Sequence, residues 1–560
     1  MRIVAQRARP LIVVAVVLAS SGIATASRPG AGGERPAGAG SPAVDGSLRG
    51  VARSSGFVPA TSTSTSASTS ASTSASRPLL GPSGLPASPP ARHEQAAVST
   101  REGASPGRSA ARAPAPIGGG FDALRNARPI LSPSDSTGAL GDSWFMTAVN
   151  VRTAVYSRAG AAQFPSIRLR SLGGVLPERS FEFDPKVVYD QYDDHFVLVF
   201  LANERATAFT KSWIVIATVS DAQADDPSGW CVTRIAGDQY RGDGRQWADY
   251  PGLGYDADRV TLTTNQFGFS RGYAGTQILS MPKADLYDCD AGLRGTVFAG
   301  ARTRNPDGSK SFTVQPAQTV GGTEPSTQYL LEFQYGRRGG SKLVVFRIRR
   351  TDAGLRLWKA QVPVDRARPA LAATQAGEVG PDTVWDPGDL RLVNAWYDAD
   401  LHRLFAAHTI RNNVEPSRYV EAATSWYELR PAGKLRSSEV TRSGVIGTSL
   451  RDYGWPVVAT DTLGDLFITY SRAGSRGGGE YLSAWAAEVR PSDAVSEVLL
   501  KAGEATYDFG PGLERWGDYN GISRDPADGT LIATVNQYAI GDGRDRTRLW
   551  RQWVDVVHDA

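Results

Sequence analysis

Five stretches of this chain repeat one local pattern: an apolar run, an aspartate, a short polar turn and a second β-branched or aromatic run. They are Val187 to Asp190 before Phe196, Gly254-Tyr255-Asp256 before Val260, Trp396-Tyr397-Asp398 before Leu404, Ala459-Thr460-Asp461 before Leu466, and Ser523-Arg524-Asp525 before Leu531. Each reads as a β-hairpin, since two apolar runs split by a polar turn bury one face of two antiparallel strands. A sixth, Phe333-Gln334-Tyr335-Gly336 before Leu343, keeps the shape without the aspartate. From Asp190 through Asp256, Gly336, Asp398 and Asp461 to Asp525 the intervals are 66, 80, 62, 63 and 64 residues. Two finer echoes support a repeat: Thr264-Asn265-Gln266-Phe267 against Val535-Asn536-Gln537-Tyr538, and Tyr156 to Gly160 against Tyr470 to Gly474.

Further apolar runs follow each hairpin, such as Trp213 to Val219 and Trp230 to Ile235. Four short strands per unit, without a helical period, predict an all-β chain and a β-propeller. Of the 50 Phe, Trp and Tyr residues, all but Phe57 lie in residues 119–560, which are assigned to the propeller domain. Six or seven blades of this length fit there. The two strand-like runs from Trp144 to Ser157, ahead of the first full repeat, favour seven. Two β-sandwich domains are the competing architecture, but sandwiches do not require even spacing across the whole region.

Residues 1–26 combine Arg2, Arg7 and Arg9, an apolar run of nine residues from Leu11 to Ala19, and Ala24-Thr25-Ala26. This is the pattern of a cleaved signal peptide. Nine residues are too few to span about 30 Å of hydrocarbon, so no membrane span is expected in the mature chain. Residues 27–118 are rich in Ser, Thr, Pro, Ala and Gly and bury too little apolar surface to offset ordering entropy. They are expected to be a disordered linker, open to glycosylation: either a spacer from a surface or matrix, or a passenger tail. The net charge of +4 divides into +3 from the first ten residues, +5 from the linker and about −4 on the folded part. A nucleic-acid binder would place its positive charge on the fold, so that class is set aside. The chain is expected to be secreted, extracellular or at the cell surface, and monomeric. Cys231 and Cys289 are the only cysteines, and in an exported chain they are expected to form a disulfide, two reduced buried thiols being the alternative.

Polar and aromatic clusters precede the hairpins. The clearest are Arg245-Gln246-Trp247-Ala248-Asp249-Tyr250-Pro251 and Arg515-Trp516-Gly517-Asp518-Tyr519-Asn520; looser copies are Phe183-Asp184-Pro185, Trp385-Asp386-Pro387 and Arg451-Asp452-Tyr453-Gly454-Trp455-Pro456. If the next strand is the innermost of its blade, these clusters meet at one mouth of the central channel. Like charges held close need cations, a metal or a raised pKa, and Arg245, Arg451 and Arg515 are placed to supply the first. Asp, Arg, Trp and Tyr together suit a sugar, whose hydroxyls bond to charges while its C–H faces stack on rings. The candidate ligand-binding residues are Trp247, Asp249, Tyr250, Arg451, Asp452, Tyr453, Arg515, Trp516, Asp518 and Tyr519. The preferred reading is an extracellular binding module for a glycan or another surface or matrix ligand. The alternatives are a glycoside hydrolase with mouth carboxylates as acid and base or a Tyr nucleophile, and a structural envelope protein in which every cluster Asp merely satisfies backbone N–H groups.

The run Arg515 to Pro526, with Gly141 to Asn150 and Asp184 to Asp190, resembles a group of uncharacterised secreted bacterial proteins carrying an RWGDYS-type signature and taken to form sialidase-like propellers. The resemblance spans most of residues 137–540, with Asn520 where Ser is usual and a shortened turn at Asp528-Gly529. It implies fold and export and brings no activity. Sialidase Asp boxes, S-x-D-x-G-x-T-W, do not occur here.

Other signals are weaker. Gly268 to Gly272 fits G-x-S-x-G, but that motif needs a strand turning into a helix, and a loop is expected here. His195, His402 and His408 lack any zinc-site context, so no cofactor is expected. Asp243 with Asp249, or Asp525 with Asp528, could supply oxygens to a structural calcium.

Overall fold

The β-branched and aromatic runs of the repeat are strands of radial sheets. The computed structural model describes residues 41–42, 44–55, 115–116, 119–125 and 132–558, less 205–210, 242–244, 271, 291, 323–325, 378–382, 413–420, 510–511 and 542–548. All belong to the unit Gly40–Ala560. Seven antiparallel sheets follow in chain order among these residues, from 137–168, 180–236, 246–298, 315–367, 395–446, 452–501 and 521–558, here blades 1 to 7. The first strand of each blade adjoins that of the next, and that of blade 7 adjoins blade 1. In blades 3, 4 and 5 the first strands pair directly in parallel, Tyr255 with Gln318 and Ala317–Val320 with Ala395–Asp398. The chain is therefore a seven-bladed β-propeller whose first strands line the axis.

Blade 2 shows why these sequences fit. Phe196 to Ala202, in its second strand His195–Glu204, are all fully buried. Side chains alternate between faces. Phe196, Leu198 and Phe200 join Met146 and Val155 of blade 1, while Val197, Val199 and Leu201 join Leu262 and Leu279 of blade 3. A strand covered on both faces needs an unbroken apolar run, and each such side chain contributes about 1.5–3 kcal/mol.

Blade 7 closes the ring with chain from both sides. Its first three strands are Gly521–Arg524, Leu531–Ile540 and Leu549–His558; Phe121–Arg125 pairs antiparallel with the third.

One expectation changes. The hairpin at Phe333-Gly336 joins the second and third strands of blade 4, Thr327–Gly336 and Gly339–Thr351, rather than the first and second. The first strand is Gln315–Val320, which ends at Gly321-Gly322 and so carries no aspartate to mark it. Within the stretch read as linker, Val44–Ser47, Ala52–Ser55 and Ala115–Pro116 pair as extra strands on Arg294–Val297 of blade 3, Cys231–Arg234 of blade 2 and Val557–His558 of blade 7. Edge pairing uses backbone groups, so a composition poor in apolar residues does not forbid it. Ser41–Pro42 and residues 48–51 are described as well; the rest of that stretch and the signal segment 1–26 lie outside the described residues. Cys231 and Cys289 form a disulfide, Cα to Cα 5.4 Å, across a separation of 58 residues. A closed loop of this length contributes about 4 kcal/mol in the chain-entropy account.

Candidate functional site

Each first strand has a turn at one end and a lead-in segment at the other, and the two ends carry different chemistry. At the turns the repeated aspartate does the same work in every copy. Asp190 accepts from Tyr192 N–H at 3.1 Å, and Asp256 from Asp258 and Arg259 at 2.9 Å each. Asp398 accepts from Asp400 and Leu401 at 3.1 Å each. Asp461 accepts from Leu463 and Asp465 at 3.0 and 2.8 Å, and Asp525 from Ala527 and Asp528 at 2.9 and 3.4 Å. These are Asx turns. Second oxygens then reach other blades: Asp190 to Lys283 at 2.6 Å, Asp398 to Arg524, and Asp525 to Arg158 of blade 1. Blades 1 and 4 lack their own aspartate and borrow one. Ser143 N–H bonds to Asp221 of blade 2 at 3.0 Å, and Gly322 N–H to Asp400 of blade 5 at 2.9 Å. A Cβ at Gly141 would come 2.3 Å from Asp221 Oδ1, and one at Gly321, whose φ is +68°, 2.2 Å from Asp400 Oδ2. Glycine is required at both by the visiting carboxylate. Asp525 and Asp528 are thus committed to N–H groups and Arg158, Asp528 to Thr530 at 3.1 Å, and Asp243 lies outside the described residues; no group of three His, Cys, Asp or Glu able to hold a metal occurs among the described residues.

At the lead-in end a second backbone repeat appears. Asp135, Asp184, Tyr250, Thr313 and Trp455 have φ between 49° and 56°, and each stands two residues before the regular part of a first strand. In blades 2, 3 and 6 this is a β-bulge, with register shifts at Phe183/Lys186, Asp249/Gly252 and Gly454/Val457. A left-handed φ on a non-glycine residue costs about 1–3 kcal/mol and turns the chain sharply, so it re-aims the preceding side chain. The lead-ins interlock around the axis. Asp518 N–H donates to Asp135 Oδ1 at 2.9 Å; Asn150 Nδ2 donates to Asp135, and Asn150 Oδ1 accepts from Asp184 N–H at 2.9 Å. Tyr250 N–H donates to Asp184 at 3.0 Å, and its hydroxyl to the Asp518 carbonyl at 2.9 Å. Trp455 Nε1 donates to the Asp386 carbonyl at 2.9 Å.

The side chains gathered there are unequal. Arg515 holds both oxygens of Asp518 at 2.7 Å, and Arg391 grips Asp389 with two bonds of 2.8 Å while lying 4.4 Å from the Tyr250 ring centroid. Asp386 accepts from Gly388 N–H at 3.0 Å. Asp249 accepts no hydrogen bond among the described residues. Asp184, Asp249, Asp386 and Asp389 lie deep at the axis yet stay partly open to solvent, as do Arg391 and Arg515. Burial pushes Asp184 up to about 8, helped by Asp249 and Asp518. Burial likewise brings Asp249 to about 7, against the pull of Arg391 and with the repulsion of Asp518. Burial, with Asp518 and Asp184, raises Asp135 well above the carboxylate range. Burial acts on Asp389 too, but Arg391 outweighs it and holds that carboxyl low. Lys186, buried with its Nζ 3.7 Å over the Tyr519 ring, is pushed down to about 7 by burial despite Asp135 and Asp184.

Of the residues singled out in the sequence, Asp249, Tyr250, Arg515, Asp518 and Tyr519 come together here. Trp247 and Trp516 do not present their rings: Trp247 stacks on Phe267 at 5.2 Å, and Trp516 packs edge-on to Tyr507 at 4.7 Å with Nε1 bonded to Ser471 at 2.9 Å. Tyr250 and Tyr519 are also buried, at 3% and 1% exposure. Arg451, Asp452 and Tyr453 lie apart from the ring. Arg451 pairs with Glu480 at 2.9 Å, Asp452 accepts from Thr374 and Ala422 N–H at 2.9 and 2.8 Å, and Tyr453 packs on Tyr470 at 5.1 Å. The bulge of blade 6 falls later, so Gly454-Trp455, not Asp452-Tyr453, matches Asp249-Tyr250. Asp135, Lys186, Asp389 and Arg391 were missed: no aromatic neighbour marks Asp135, and the other three lie just beyond the looser copies Phe183-Asp184-Pro185 and Trp385-Asp386-Pro387. Ser270 sits in the turn between antiparallel strands Arg259–Gly268 and Tyr273–Pro282, where no nucleophile elbow forms.

No family model and no curated protein matches this chain. Among solved structures it is similar to a protein of unknown function from Dyadobacter fermentans, at 12% identity, 68% of this chain, 96% of that one and a TM-score of 0.36. It is also similar to an α-L-arabinofuranosidase of Fusarium graminearum in complex with arabinobiose, at 12% identity over 56% and 93% with a TM-score of 0.29. An exo-β-1,3-galactanase from Clostridium thermocellum matches at 8% identity over 78% and 99%, again at 0.29. Similarity of this order fixes neither family nor activity, and the seven-bladed ring rests on its own strand pairing.

Proposed function

We propose that the lead-in mouth binds a glycan outside the cell. The observation that carries this reading is Asp249, which is partly exposed and, alone among the six mouth carboxyls, accepts no hydrogen bond from the described residues. Every other carboxyl there has structural work; this one has acceptor capacity left for a ligand. Beside it, Arg391 carries N–H donors, so the mouth presents both partners that sugar hydroxyls need. The rings of Trp247, Tyr250, Trp516 and Tyr519 are covered, so recognition falls on hydrogen bonds and the stacking contribution drops out. The Cys231–Cys289 disulfide supports export, and no helix among the described residues is long and apolar enough to cross a membrane. We take the chain to act as a monomer released after its signal segment 1–26 is cut.

A second reading, hydrolysis of a glycosidic bond, is favoured by the carboxyls at Asp184 and Asp249, both raised by burial and the first also by the charge of the second. A pair of this kind titrates together and holds a proton near neutral pH, which is what a general acid needs. The test is a glycan array beside a fluorogenic glycoside panel between pH 5 and 8, on the full chain and on Asp249→Asn. Binding lost in the variant supports the first reading, and turnover lost with it supports the second. A wild-type chain silent in both assays would leave the envelope-protein account in its place.

A further inference from the structure

The segment that leads up to the Ser/Thr-rich stretch is bound to the propeller by more than backbone pairing. Val44–Ser47 and Ala52–Ser55 extend the outer edges of blades 3 and 2, and Ser41–Pro42 that of blade 4. Between the two longer strands Leu48, 6% exposed, enters the apolar cluster of Leu286, Leu293 and Val297. Its seat is Gly295, where a Cβ would come 2.9 Å from Leu48 Cδ2. Arg49 is clamped by its backbone: its N–H donates to Gln239 Oε1 at 2.7 Å, and its carbonyl accepts from Gln239 Nε2 and Ala236 N–H at 2.9 Å each. Arg53 donates to Thr233 Oγ1 and to the carbonyls of Asp285, Leu286 and Asp288, at 2.8, 2.8, 3.0 and 2.8 Å. Those carbonyls lie at the C-terminal end of the short helix Lys283–Tyr287 in blade 3, where the last C=O groups have no partner within a helix and attract a cation. The Cys231–Cys289 disulfide lies beside this contact, with Cys289 Sγ 3.7 Å from the Ser54 carbonyl.

We propose that the outer edges of blades 2 and 3 are a strand-acceptor surface whose occupant is residues 44–55 of this same chain, held by Leu48 and Arg53. The residues on either side of the Ser/Thr-rich stretch are then both held on the propeller, Ser55 on blade 2 and Ala115 on blade 7. A cut between these two anchors leaves the fragment before the cut attached.

Limited trypsin digestion of the full chain tests this. Arg92, Arg101 and Arg108 lie between the two anchors in the chain and are expected to be cut, while Arg49 and Arg53 are protected. After cutting, the fragment ending at Arg92 should co-elute with the propeller from a sizing column at monomer size and separate only in denaturant. Arg53→Ala and Leu48→Asp should each release it about tenfold faster or more, since each removes a charge-assisted cluster or a buried side chain. Cleavage of wild-type Arg53 at the rate of Arg92, separation of the wild-type fragment on the first column, or equal retention by both variants would overturn the proposal. A nicked species of dimer size would assign the acceptor edge to a second copy instead.

Discussion

The two ends of the first strands use aspartate in opposite ways. At the turns, five copies accept their own backbone N–H groups two to four residues on, and the two blades without a copy receive one from the next blade. At the lead-ins, six carboxyls occupy one ring but no two have the same partners, and Asp249 accepts no hydrogen bond among the described residues. A residue repeated with the same bond in every unit reports on the stability of that unit. A residue whose copies diverge reports on a place where the ring is used asymmetrically, as a ligand requires.

Substitutions at the two ends should therefore behave differently. The largest effect is expected at the turns, where Asp398→Ala leaves Arg524, 4% exposed, without its carboxylate. A loss of about 3–5 kcal/mol in urea unfolding is expected, and a loss below about 1 kcal/mol would remove the distinction between the ends. Asp256→Ala, which strips two N–H groups of their acceptor, should cost about 1–3 kcal/mol by the same measurement and leave ligand binding intact. At the mouth the sign reverses. The Asp249 carboxyl sits at about 7 in the fold against about 4 when unfolded, so the native state holds the proton more tightly. Its ionisation removes stability progressively as pH rises from about 4 to about 7. Asp249→Asn should thus match the wild type in melting temperature near pH 4 and exceed it above pH 7, by an amount worth about 1 kcal/mol after allowance for its partial exposure. A variant less stable than wild type at pH 8 would assign Asp249 to the structural class. The smallest effect belongs to Arg451→Ala, whose pair with Glu480 lies away from the ring. It should cost no more than about 1 kcal/mol and leave glycan binding unchanged in titration calorimetry; lost binding would return Arg451 to the site.

The period of the fold was legible because the turn aspartate is visible as a residue type. It misled in blade 4 for the same reason, since Gly321-Gly322 takes its acceptor from Asp400 across a blade boundary and no local pattern shows a borrowed side chain. The convergence of Asp249 and Asp518 followed from strand order. The error at Asp452 arose because a bulge shifts the register within blade 6, and a shift of two residues leaves composition unchanged. Lys186 and Arg391 belong to the mouth through contacts with Tyr519 and Tyr250, pairings set by ring closure and invisible in any single segment.

The closing sheet has a mechanical corollary. The seam runs from Ala115–His558 and Pro116–Val557 through Phe121–Val554 to Arg125–Arg551. A pull applied through the chain on either side would load the Ala115–His558 pair first and open the seam like a zip, one rung after another. Tension on a tethered molecule would therefore peel the outer strand of blade 7 before it disturbed any other blade.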